Sequence, residues 1–302
     1  GVYDVNSNLS DITVNDLIVN YLIVNGTARL NGPLQALGTI QLDGNHPSGT
    51  DNVGLGDTAL DSLTSGTNNV AIGDHAGTAI SEGDGNVAIG KDALTTNQTG
   101  DFNVAIGKDA LKVNTGDSNT AIGLCALQAN TTASANVAVG YEALENNTTA
   151  AENTGVGYRA LKGTTTGCQN AALGTCSVYT NSTGNANTGV GYKALFANTT
   201  GGTNTAVGTS SLSSVTTGTG NVGLGYNAGS QTTTGVGLVS VGYQANRYNT
   251  TGAGNIAIGY EALQGVSGNT NHRNVAVGQT AGKVITTGSG NNLIGFGTGV
   301  NL

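Results

Sequence analysis

The stretch Asn86-Val-Ala-Ile-Gly-Lys-Asp-Ala-Leu94 returns unchanged 17 residues later as Asn103-Val-Ala-Ile-Gly-Lys-Asp-Ala-Leu111. Working outward from this pair, the leading Asn recurs at Asn52, Asn69, Asn86, Asn103, Asn119, Asn136, Asn153, Asn170, Asn187, Asn204 and Asn221, in steps of 17 with a single step of 16. Leu238 takes the next Asn place, and the series resumes at Asn255, Asn274 and Asn291 with one lengthened step of 19. Fixed self-similarity of this kind is the mark of a repeat architecture. With the Asn as column one, column four is aliphatic and column five is Gly in all fifteen copies, from Gly56 to Gly295. A glycine held at one place in every copy marks a corner that needs positive φ.

Asn-Val-Ala-Ile-Gly therefore reads as a short strand, and Thr-Thr-Gly at 199–201 and 250–252 as turn chemistry. A unit of this length can return to its start one strand spacing higher, which stacks equivalent columns into parallel ladders. The expectation is an all-β parallel β-solenoid, or β-roll, of about fifteen 17-residue coils over residues 52–302. Residues 1–51 differ. Ile12-Thr-Val-Asn15, Leu17-Ile-Val-Asn20 and Leu22-Ile-Val-Asn25 repeat every five residues and read as a β-rich neck. Column three is Ala or Gly except at Ser240 and Leu293. If columns two and four fill the chain's own core, this small column lets a neighbouring chain approach, which favours a parallel oligomer with a trimer as the natural choice.

Composition narrows the functional classes. Of 302 residues 50 are Gly and only 28 are charged, with three Phe, ten Tyr and no Trp or Met, so any core is thin and built from Val, Ile, Leu and Ala. A net charge of -8 without a basic run argues against nucleic acid and against anionic membrane surfaces. The longest apolar stretch, 17–24, is too short to cross a bilayer. The chain opens at Gly1 rather than Met, the expectation for a processed piece of something longer.

The repeats at 86–94 and 187–201, the latter Asn-Thr-Gly-Val-Gly-Tyr-Lys-Ala-Leu-Phe-Ala-Asn-Thr-Thr-Gly, resemble those of bacteriophage tail fibres and related bacterial surface fibres. The first part of each repeat is similar to the head repeats of trimeric autotransporter adhesins, which form a left-handed parallel β-roll in a homotrimer. The resemblance covers about residues 52–302. The segment Val24-Asn-Gly-Thr-Ala-Arg-Leu-Asn-Gly32 also resembles fibre sequences that precede such repeats. In many of those fibres a C-terminal self-cleaving chaperone domain assists trimerisation, and no segment here matches it. The resemblance implies a nonenzymatic structural fibre on a virion or cell exterior, partnered by its own copies and other fibre subunits, and attaching to a host-surface glycan or protein.

Several features imitate other chemistry. Gly155-Val-Gly157-Tyr-Arg-Ala160 and its equivalents fit a relaxed dinucleotide fingerprint, but that motif belongs at a strand-to-helix turn in a βαβ unit and here it is a coil column, so no cofactor is expected. Cys125 and Cys176 share column seven three coils apart, roughly 14 Å and too far to pair, which leaves buried free thiols as the expectation, Cys168 included. His46, His75 and His272 are isolated and carry no metal spacing. Asp92 and Asp109 occupy one column in adjacent coils, about 5 Å apart, a separation compatible with a retaining glycosidase pair, but Lys91 and Lys108 beside them favour a solvated charge ladder. A surface-glycan depolymerase thus stays open as an alternative. So does an ice-binding solenoid, suggested by the Thr pairs at 148–149, 165–166, 199–200, 216–217 and 233–234.

Tyr141, Tyr158, Tyr192, Tyr226, Tyr243 and Tyr260 form a column-six stripe suited to intercoil packing, to a subunit seam or to stacking on sugar rings. The 19-residue coil holds its extra length around residues 268–273 and is expected to bulge outward there. That places Tyr226, Tyr243, Tyr260, His272 and Arg273 as the candidate receptor contacts. Nine Asn-Xaa-Ser/Thr triplets, among them those at Asn130, Asn147, Asn198 and Asn249, read mostly as turns rather than glycan acceptors.

Overall fold

A computed structural model of the protein describes residues 51–299. The proposed neck at 1–51, with Pro33, Pro47 and His46, lies outside the described residues apart from its last position. Fifteen three-residue strands, from β1 (Val53–Leu55) to β15 (Asn292–Ile294), pair in strict sequence order in one parallel sheet. Each residue pairs with its column mate, as in Val87↔Val104, Ala88↔Ala105 and Ile89↔Ile106. No described residue is helical. Fourteen steps of about 4.8 Å give the described coils a rise of roughly 70 Å.

Column five makes the corner that leaves the strand. Its glycines lie at φ 122 to 140, and at Gly140 a Cβ would stand 2.5 Å from the carbonyl oxygen of Gly157. The left-handed region is also used where glycine is not required. Columns seven, nine and seventeen repeat it with ordinary side chains, as at Asp92 (φ 56), Leu94 (φ 53) and Phe102 (φ 56).

The interior reverses the expected facing of the strand. Column three points inward: Ala71, Ala88, Ala105, Ala121, Ala138 and Ala206 are fully buried. Columns two and four point outward, with Leu55, Ile72, Ile122, Leu173, Leu224 and Ile258 exposed. The reason is space. The turn after the corner folds back beneath the strand and places Ala of column eight and Leu of column nine, such as Ala93-Leu94 and Ala143-Leu144, against column three. At Gly189 even a Cβ would meet Val178 Cγ2 at 2.5 Å, and elsewhere most inward positions are filled by Ala. The core is accordingly Leu and Ala, while the Val and Ile of the strands line its outer face.

A buried Asn column closes the coils, joined in seven of them by a second buried Asn in column twelve. The column-one amide donates its Nδ2 hydrogen to the column-fifteen carbonyl of its own coil, as Asn119 does to Ala133 at 2.8 Å, and its Oδ1 accepts from the backbone N–H of the next column-one residue, Asn136, at 3.0 Å. From the other side Asn130, in column twelve, donates to the same Ala133 oxygen at 2.9 Å. One carbonyl thus gathers amides from the start and the middle of the coil. Asn130, Asn147, Asn198 and Asn249 are fully buried, so these triplets are internal ladder elements in the folded chain rather than surface turns.

Candidate functional site

The column-six tyrosines stack on one another. Tyr226 and Tyr243 lie 5.4 Å apart at 13°, and Tyr243 and Tyr260 lie 5.0 Å apart at 8°. Tyr141 and Tyr158 repeat the arrangement at 5.3 Å, with the Arg159 guanidinium 4.9 Å from the Tyr158 ring centre. Parallel stacking along the solenoid axis covers the central ring faces with neighbouring rings. What the stripe offers solvent is ring edges and a row of hydroxyls about one strand spacing apart, which favours intercoil packing over stacking on sugars.

The lengthened coil bulges earlier than its sequence suggests. Val266, Ser267 and Gly268 are exposed, whereas Asn269 and Asn271 turn back into the interior. Asn269 donates to the Ile285 carbonyl at 3.0 Å and Asn255 donates to the Asn271 carbonyl at 2.8 Å, so the second half of the insertion is pinned by the Asn network. His272 and Arg273 precede Asn274, at the opening edge of the strand, while the tyrosines stand beyond its closing edge. His272 and Arg273 therefore do not stand beside the aromatic stripe. They line a shallow groove of about 570 Å³ with Ala253, Gly254, Ser289 and Gly290. Nδ1 of His272 accepts the Ala253 backbone N–H at 3.0 Å, which fixes the ring and turns its other nitrogen outward. Asp84, Asp101 and Asp117 do the same in lower coils with a carboxylate oxygen.

Charges gather on coils two to seven. Lys112 binds Asp109 at 2.7 Å and lies 3.9 Å from Asp92, so an ammonium sits between the two carboxylates of the conjectured glycosidase pair. Lys91 pairs with Asp74. That arrangement is a charge ladder, with both acids held by the same cation. A tighter knot surrounds Glu142. Burial pushes its carboxyl up, but hydrogen bonds from Lys162 (2.5 Å), Tyr141 and Arg159 (2.7 Å) outweigh that and hold it at about 2. Burial lowers Lys162, yet its bonds to Glu142 and Glu145 win and raise it well above its usual value.

Cys125, Cys168 and Cys176 are free and half-buried, not fully buried as the sequence suggests, because columns seven and sixteen lie on the turn surface. Burial raises the Cys125 thiol, with nearby Asp109, Glu145 and Glu142 adding to the effect, which keeps it protonated and unreactive. No group of three or more metal-ligating side chains occurs among the described residues. The first Thr of each pair donates its hydroxyl to the next coil, as Thr148 to Thr165 and Thr199 to Thr216, both at 3.0 Å. The second Thr of each pair is exposed and the first half-buried. Comparisons with protein-family models, with curated proteins and with solved structures each found no match.

Proposed function

We propose that the chain is the rigid shaft of a homotrimeric fibre, displayed outside a cell or on a virion, whose sheet face turns toward the trimer axis. The observation that carries this reading is the outward ladder of columns two and four. It is about 10 Å wide and roughly 70 Å long, aliphatic over most of its length, with Leu173 54% and Leu224 46% exposed. Monomeric proteins rarely leave a contiguous apolar patch above a few hundred Å² uncovered. A face of roughly 700 Å² per chain, shared between two neighbours, would bury about 2,100 Å² over a trimer. The oligomer argument from the sequence thus keeps its conclusion and exchanges its face: the bulky columns meet the neighbours and the small column fills the chain's own core.

The resemblance to tail-fibre and adhesin repeats supports the same reading, with other fibre subunits at the ends and a cell-surface glycan or protein as the attachment target. For attachment, the groove of His272 and Arg273 is a more suitable element than the mutually stacked Tyr226, Tyr243 and Tyr260, because its donors point to solvent. Native mass at dilute concentration tests the assembly. The expected mass is three times 29.8 kDa, and Ile106→Arg, which puts a charge on the apolar face, should abolish the trimer, whereas Tyr243→Ala should not. A folded monomer in the unaltered protein overturns the assembly.

A further inference from the structure

A uniform ladder has a weakness as an interface, since every coil offers nearly the same Val and Ile pair and three chains could mate one coil out of step with little loss. The face breaks its own pattern at β8 (Ala171–Leu173). Column two is Val, Thr or Ile in every other coil from the first to the fourteenth, and Ala171 is the one small residue there. In the same coil column four carries Leu173, 54% exposed, between Val156 and Val190 in the coils on either side. The result is a hole and a knob at one level. The hole is an apolar dent of about 190 Å³ lined by Thr154, Val156, Ala171, Ala172, Leu173 and Val190, room enough for a leucine side chain.

We propose that Ala171 and Leu173 form an axial register lock between copies of this chain, Leu173 of each copy seating against Ala171 of the next. The inference rests on the homotrimer reading and adds to it the level at which the chains meet. Around a three-fold axis with parallel strands, the closing edge of one strand abuts the opening edge of the neighbouring chain's strand, so column four of one copy meets column two of the next. In register, Leu173, the bulkiest column-four side chain of coils six to ten, meets the smallest column-two side chain three times over. A slip of one coil sets Leu173 against Thr154 or Thr188, which overfills that contact and buries a hydroxyl, while the dent at Ala171 faces only a valine. Misregister is thus penalised twice at this level, whereas the rest of the ladder barely distinguishes the alternatives.

The test uses the full chain with Cys125→Ser, Cys168→Ser and Cys176→Ser. Chains carrying Ala171→Cys are co-expressed with chains carrying Leu173→Cys, and oxidation should yield disulfide-linked pairs between the two kinds of chain. The offset combinations, Thr154→Cys or Thr188→Cys with Leu173→Cys, should yield at least ten-fold less. Native mass is recorded on the same samples. Trimers in which an offset pair links as well as the level pair overturn the lock and leave the homotrimer standing. A monomeric mass overturns the homotrimer reading, and the lock with it.

Discussion

At the scale of single residues, what governs the coil is the conformation each position must hold. Gly140 lies at φ 138, and a Cβ there would approach the Gly157 carbonyl carbon at 2.7 Å as well as its oxygen at 2.5 Å. Gly140→Val thus meets two obstacles, a φ that β-branched residues resist and a backbone that cannot retreat without breaking the ladder. The expected loss is about 3 kcal/mol or more in denaturant unfolding, with faster amide exchange confined to the coils beside it; an unchanged transition would mean that the corner tolerates side chains. Glu142 supports a different prediction. Its carboxyl is held at about 2 against an ordinary 4.5, so the folded state binds the proton less readily than the unfolded chain. The resulting stability is fully present above pH 4.5 and is lost as the pH falls toward 2. Glu142→Gln should cost about 1–2 kcal/mol at pH 7, and the gap to the unaltered protein should close below pH 3. A gap that persists at pH 2 would assign the effect to packing rather than charge.

At the scale of the element, the sequence displays the strand, its period and its corner, because each imposes one residue type on one column. It does not display the facing of the strand. Alternation shows only that column three opposes columns two and four, and the usual preference for bulky residues inside points the wrong way in a coil whose turn already fills the interior. The decisive clue lay outside the strand, in the Ala-Leu pair of columns eight and nine. In three coils Gly77, Gly229 and Gly282 stand in place of that Leu at φ 58 to 61, and the exchange of Leu for Gly marks a left-handed position rather than a loop. The Asn columns were legible as a period but not as a device. An Asn before Thr-Thr looks like a turn former in any single copy, and only stacking shows Asn147 donating to Asn130 at 2.7 Å and to the Ala150 carbonyl at 3.0 Å. The candidate contacts failed to converge for a related reason: His272, Arg273 and the tyrosines are close in sequence to the insertion, but columns are separated across the coil and proximity in a solenoid follows columns.

Over the whole solenoid, stability is a sum of coils and of the interfaces between neighbours, so a local fault divides the rod instead of weakening it evenly. Such a fault is present. The continuous apolar core running from Leu60 to Val215 stops, and a second begins at Ala245 and ends at Leu293. Between them Gly229 replaces the column-nine Leu, Leu238 replaces the column-one Asn, and Ser240 replaces the column-three Ala, with Asn246 in column nine of the next coil. Ser240 Oγ, both amide atoms of Asn246 and Nδ2 of Asn249 are buried without a hydrogen-bond partner among the described residues, and each such group costs about 1–3 kcal/mol. Hydrogen exchange should therefore resolve two cooperative units that meet between residues 221 and 254, with the amides of those coils the first to exchange. Ser240→Ala with Asn246→Leu gives both positions the residues that their columns carry elsewhere, Leu263 sitting at φ 47 in the coil above. This pair should raise the stability of the junction by about 2 kcal/mol or more and slow exchange there toward the rate of the flanking coils. A rod that exchanges as one unit, or a double variant that melts lower, would show that the polar side chains strengthen the junction, and the division of the solenoid into two units would have to be abandoned.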